Sequence, residues 1–180
     1  MRPAIPRTAT LFLAGLVSSA LAAGVAAQPA QHAGDIPQSL RLEHENTLRE
    51  LTSLTRKPGL VGAEARKALA LFKAHLQREE QFILPPLTLL SQLADGKISP
   101  DMKWAIAMSD RVKAEREKTY QEHTAITDAM NALATAAHKA HDATALDFAQ
   151  GAVADSLNDL ELIEPMSIVI GDYLKAKLPP

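Results

Sequence analysis

From Leu40 onward the apolar residues recur at steps of three and four, the spacing of one face of an α-helix. Leu40, His44, Leu48, Leu51 and Leu54 share such a face; Pro37 suits a first turn, and Lys57-Pro58-Gly59 ends the segment. A second helix is predicted over residues 62–84, with Ala65, Leu69, Phe72, Leu76, Phe82 and Ile83 inward, stopping at Pro85-Pro86. Residues 87–93 add a short turn before a loop at 94–100. The third helix runs without a breaker over residues 101–140. At 1.5 Å per residue it would reach roughly 60 Å, so a bend is expected. Its charged middle, residues 110–122, reads as a solvated face. The fourth covers residues 142–164, and Pro165 kinks or interrupts it before a last segment at 166–177. Four long helices with short connections predict an all-α fold, an antiparallel up-down four-helix bundle over residues 38–178.

The first residues break this pattern. Arg2 and Arg7 precede an uncharged run from Leu11, and Val25-Ala26-Ala27 places small residues where a signal peptidase reads them. Residues 1–27 therefore read as a secretory signal peptide, and residues 28–37 as a disordered spacer. The alternative is an uncleaved membrane anchor at residues 10–27, whose length would just span a bilayer. Cleavage near Ala27 makes the product periplasmic or secreted, with no stable membrane insertion. It also removes two of the 19 basic residues and no acid, leaving 17 against 21, a formal charge of −4. A weakly acidic surface does not release phosphate counterions, so nucleic acid is not a partner. At 47% apolar and 4% aromatic the chain is rich in helix-forming aliphatic residues, and with no Cys it holds no disulfide, iron–sulfur cluster or covalent c-type haem. The core must stand unbraced.

Two halves of the helical region echo each other in their polar residues. Glu43-His44 is followed at +7 and +10 by Leu51 and Leu54; Glu122-His123 is followed at the same offsets by Met130 and Leu133. His44 and His75 are 31 apart, and His123 and Asp155 are 32 apart. His75-x-x-x-Glu79 precedes Phe82-Ile83 and Pro85, as Asp155-x-x-x-Asp159 precedes Leu162-Ile163 and Pro165. Such agreement points to duplication of a two-helix unit. Residues four apart share a helix face, so each half offers one polar residue and one polar pair to the interior. Burying three imidazoles and three carboxylates among aliphatic side chains is costly unless they are compensated, and a metal dication compensates both kinds together. His44, His75, Glu79, His123, Asp155 and Asp159 are the candidate metal ligands.

At these residues the chain resembles the hemerythrin-like (HHE cation-binding) family, helical bundles built on a repeated His, then His-x-x-x-Glu. The specific piece is His75-Leu-Gln-Arg-Glu79-Glu80-Gln-Phe-Ile-Leu-Pro85, and the likeness covers residues 38 to 166. The resemblance implies a non-haem iron centre, usually di-iron, that binds oxygen or a related diatomic ligand. His44, His75 and His123 would be imidazole ligands and Glu79 the carboxylate bridging two metals. The departure lies on the fourth helix, where Asp155-Ser-Leu-Asn-Asp159 stands in place of a second His-x-x-x-Glu, and Thr127 in place of a His four after His123. Three outcomes follow: a carboxylate-rich two-metal site, one metal on His44, His75, Glu79 and His123, or a relic of weak affinity.

The functional expectation is an exported iron-binding bundle that binds, senses or buffers iron or a diatomic gas. A metal-free helical adaptor and a carboxylate-rich di-iron oxidase- or peroxidase-like enzyme are the alternatives. No Glu-x-x-His occurs, which disfavours the ferritin-like di-iron arrangement, and there is no Gly-rich phosphate loop, His-Glu-x-x-His or Gly-x-Ser-x-Gly. Glu80 and Glu164 read as exposed, Tyr120 as sharing the face of His123, and His138 and His141 as companions of a helix C-terminus.

Overall fold

The computed structural model describes His32 and residues 34–179, so the expected signal peptide and most of the spacer lie outside the described residues. All regular structure among the described residues is helical. Helix α1 (Gln38–Leu54) follows Pro37, and α2 (Gly59–Arg78) follows Pro58. Proline before a helix costs nothing there, because the first N–H groups have no intrahelical partner. A 3₁₀ turn (Pro85–Leu89), a short α3 (Leu90–Ala94) and a second 3₁₀ turn (Pro100–Lys103) lead into α4 (Trp104–Lys139), which runs unbroken for 36 residues. Helix α5 (Ala143–Asn158) is capped by Asp142, whose carboxylate accepts from Ala145 N–H at 3.2 Å, and α6 (Glu164–Lys177) closes the chain. None of these helices is long and apolar enough to cross a membrane.

The second and fourth predicted helices are not continuous α-helix. Each contains one π turn, at Glu79–Ile83 after α2 and at Asp159–Ile163 after α5. In the first, Leu84 N–H donates to Glu79 O at 2.9 Å, five residues back. π turns are rare and concentrate at functional sites. Both begin on a residue singled out by the repeat, 80 positions apart, and both end two residues before a proline. Pro165 thus sits in the first turn of α6, where its missing N–H is harmless, rather than kinking a continuous helix.

Helix α4 packs against α2, α5 and α6, and α1 packs against α2. The apolar interior falls into two clusters. One gathers Leu51, Leu54, Val61, Ala65, Met130, Leu133 and Ala145; the other gathers Ile36, Phe82, Ile83, Trp104, Val112, Ile170 and Leu174. Along α4 the second cluster ends at Val112 and the first resumes at Ile126, with Thr119 and His123 buried between them. On the other helices the same interval is filled by His44, by His75 and Glu79, and by Ser156, Glu164 and Ser167, all buried. A polar layer therefore divides the core. Close crossings keep it narrow: a Cβ on Gly171 of α6 would lie 2.3 Å from Ser109 Cβ of α4, whose hydroxyl donates to Ser167 O at 2.6 Å. At one end Lys57 and Asp142 pair, tying the α1–α2 connection to the α4–α5 connection. At the other, His32 stacks on Trp104 at 4.1 Å and Ile36 is buried, so residues 34–37 of the expected spacer lie against the helices.

Candidate metal centre

Helix α2 presents His75 and Glu79 inward on one face, the second of them starting the π turn, and α4 presents His123 from the opposite side. One ligand atom from each of the three can be chosen so that all lie within 4.8 Å of one another. The separation is near the span of two ligands on one ion, roughly 3–4 Å for bonds of about 2.1 Å. The two imidazole rings meet edge to face with centroids 4.2 Å apart. His75 Nε2 lies 3.1 Å from Glu79 Oε1, yet neither atom has a hydrogen-bond partner, because the pair is misaligned. His123 Nε2 is likewise unpartnered, and all three residues are almost fully buried. Buried polar atoms without partners are uncommon and costly. Three of them facing one another form a group that could hold a metal ion.

Outer contacts fix the orientation of each ring. His75 Nδ1 donates to Glu122 Oε2 at 3.2 Å, which leaves the lone pair on Nε2. Glu122 in turn lies 2.9 Å from Arg78 Nε, and the Arg78 guanidinium reaches Glu115 and the Thr119 hydroxyl. His123 Nδ1 is hydrogen-bonded to Ser156 Oγ at 2.9 Å, so its Nε2 is also the inward nitrogen. Metal-binding histidines are held in this way, with the second nitrogen bonded outward.

Charge in the layer is finely divided. Burial opposes a proton on His75, but the Glu79 and Glu122 carboxylates outweigh it and raise the pKa above the usual imidazole value. Burial alone would raise Glu79, yet His75 first, then His44 and His123, hold it below the usual carboxylate range. Burial, reinforced by His75, pushes His123 down to about 4. Asp159 is pushed up to about 8 by burial and then by Glu79 and Glu43; Glu164 is pushed up to about 7 by burial and then by Glu79.

The six sequence candidates thus fall into three groups. His75, Glu79 and His123 come together. His44 stands beside them, its Nε2 3.4 Å from Glu79 Oε2 and its Nδ1 3.6 Å from Glu80 Oε1. Asp155, exposed on α5, and half-buried Asp159 line the adjoining cavity with His44, His75 and His123 but lie outside the tight group. That cavity has a water-accessible volume of about 20 Å³, room for one small occupant. Three other expectations are corrected. Glu164 is only 2% exposed, because the π turn brings it inward, and Tyr120 is 57% exposed and faces away. Residues 110–122 are not wholly a solvated face, since Val112 and Thr119 are buried and Glu115 and Glu122 are paired with Arg78. Sequence reasoning missed Glu122, Ser156 and Glu164; for Glu122 the signal was present in the repeated Glu-His dipeptide.

Compared with known proteins, the chain has no match among family models and no significant match among curated proteins or solved structures.

Proposed function

We propose that this protein is an exported, hemerythrin-like antiparallel four-helix bundle whose polar layer binds a non-haem metal ion. By this reading it binds, senses or buffers iron, or a diatomic ligand such as oxygen carried on it. The observation that carries the reading is the convergence of His75 Nε2, Glu79 and His123 Nε2 as buried, unpartnered donors, each imidazole fixed from outside. Two imidazoles and one carboxylate without a thiolate are the donor set of non-haem iron(II) sites with open positions, which favours iron over calcium or magnesium. A bound ion would supply Lewis acidity and, for iron, redox chemistry; the chain's own part is to hold the donors and exclude bulk water. The pairing of the two helix connections through Lys57 and Asp142 supports the antiparallel arrangement. Export rests on the composition of residues 1–27.

One observation favours a second ion. Glu43, Asp155 and Asp159 all have raised pKa values from burial, sharpened at Glu43 and Asp159 by neighbouring carboxylates, and a second cation would relieve that crowding. Elemental analysis of protein purified without chelator tests both readings. The expectation is about one metal or more per chain in the wild type and near none in His75→Ala, with a higher melting temperature after anaerobic Fe²⁺ addition. Less than about 0.2 metal per chain in both, with no change in melting, would reject metal binding. Asp159→Asn should halve the content only if the site is dinuclear.

A further inference from the structure

We propose that the groove between α1 and α5, lined in part by Gly151, is the entrance through which the cation reaches the buried donors. The inference rests on the metal-binding reading above and adds to it the path and the groups that govern it. Glu43 and Glu50 from α1 and Asp147 and Asp155 from α5 line this groove, and no Lys or Arg does. None of the four acids is ion-paired among the described residues. Arg49 donates to the Oδ1 of Asn46 at the groove's edge at 2.5 Å and pairs with none of the four acids. The groove adjoins the internal cavity, with Glu43, Thr47, Ala152 and Asp155 forming the wall between them. Inside that cavity stand the nine-tenths-buried His44 and His123; His44 turns its nitrogens to Glu79 and Glu80, and His123 Nε2 is unpartnered. Anionic walls outside, a free imidazole nitrogen inside and a wall of only a few side chains between them describe a route for a cation.

The duplicated architecture supplies the comparison. A second groove, between α2 and α4, lies at the repeat-related place: His75 and Glu122 occupy there the positions of Asp155 and Glu43. Eighty residues before Gly151 stands Leu71, which lines that second groove. Lys118 lines it too, and its one carboxylate, Glu122, is engaged by His75, Arg78 and Lys118. Thus one groove carries a leucine and an ion-paired carboxylate; the other carries a glycine and four carboxylates without an ion pair among the described residues. A Cβ placed on Gly151 meets nothing within 4 Å, so the position is open space.

A low-dielectric channel lined by one sign of charge speeds entry of the opposite sign by roughly 10–10³-fold, and the effect fades with salt. The test follows uptake of Co²⁺ alone by chelator-stripped full chain in stopped flow, with dissociation measured into excess chelator. Gly151→Leu, which installs the residue of the other groove, should slow association and dissociation together by about tenfold or more, leaving affinity within about twofold, because a plug changes the barrier and not the site. Glu50→Gln with Asp147→Asn should slow association by about tenfold at low salt, and the difference should vanish near 0.5 M. Ala74→Leu, in the second groove, should load like wild type. If wild type and Gly151→Leu both take up cobalt at one rate, or if Ala74→Leu is the slow variant, the entrance is wrong while metal binding stands. If wild type takes up no cobalt at equilibrium, the metal reading falls and this inference with it.

Discussion

Glu122 shows how one residue outside the His75–Glu79–His123 group governs it. Its carboxylate receives the Nδ1 proton of His75 and is itself held by Arg78, whose guanidinium packs near the Phe82 ring with Arg111 stacked closer, 4.0 Å from the centroid. The arrangement fixes both the tautomer and the tilt of His75 and makes its inward nitrogen more basic. Glu122→Gln keeps the shape and removes the charge. Metal affinity should fall by about 10–100-fold, read by competition with a chelator, while saturating metal still fills the site. An affinity within twofold of wild type would show that Glu122 acts only as a surface ion pair. His75 and Glu79 were legible because i,i+4 spacing on an amphipathic helix needs no tertiary knowledge, and His123 because it repeats the setting of His44. Glu164 was not legible, for a reason of register. In an α-helix a five-residue step from Asp159 leaves its face, whereas the π turn closes five residues into one hydrogen-bonded loop and brings Glu164 back inward. Ser156 was illegible for another reason: its value lies in a hydrogen bond to a different helix.

At the scale of elements, the two halves are one unit used twice with different outcomes. In one half Glu122 meets His75, and the contact is attractive. In the other the equivalent Glu43 faces Asp155, and two acids repel: each has a raised pKa, Glu43 from burial and then Asp155, and Asp155 from burial. Asp155 lies exposed while His75 is buried, although the helices that carry them end in matching π turns. Asp155→His should therefore recreate the contact of the first half, with Glu43 accepting from the new imidazole. The expected result is a rise in bound metal per chain and a higher melting temperature with metal present, measured by elemental analysis and calorimetry. Unchanged metal content would mean that the α5 half has drifted too far for one residue to restore it. The helices and the repeat were readable as pattern, since the hydrophobic period and the polar echo are both local. The π turns were not, because Glu79–Ile83 and Asp159–Ile163 carry no Gly or inserted Pro to mark them.

For the whole molecule, the divided core makes stability depend on pH in a way that a bound metal would reverse. Without metal, Asp159 and Glu164 have folded pKa values of about 8 and about 7, above their ordinary 3.8 and 4.5. Their contribution is fully present below the unfolded values and is lost as pH rises through the folded ones. His75, also raised, contributes below 6.5 and loses that contribution above it. His123, lowered from 6.5 to about 4, works in the opposite sense, with stability present above 6.5 and lost as pH falls toward 4. Between pH 6.5 and 8.5 the first three groups act together and His123 is silent. The metal-free protein should thus melt lower at pH 8.5 than at pH 6.5, by at least about 3 °C for a domain of this size. A divalent ion inverts the sign, because it binds only deprotonated donors: loading should release protons, and affinity should climb across the same window. Melting curves at the two pH values, with chelator and with anaerobic Fe²⁺, separate the cases. A metal-free melting temperature that rises from pH 6.5 to 8.5 would show that Asp159 and Glu164 are ionised without an ion, and that the polar layer is neutralised by groups other than a metal.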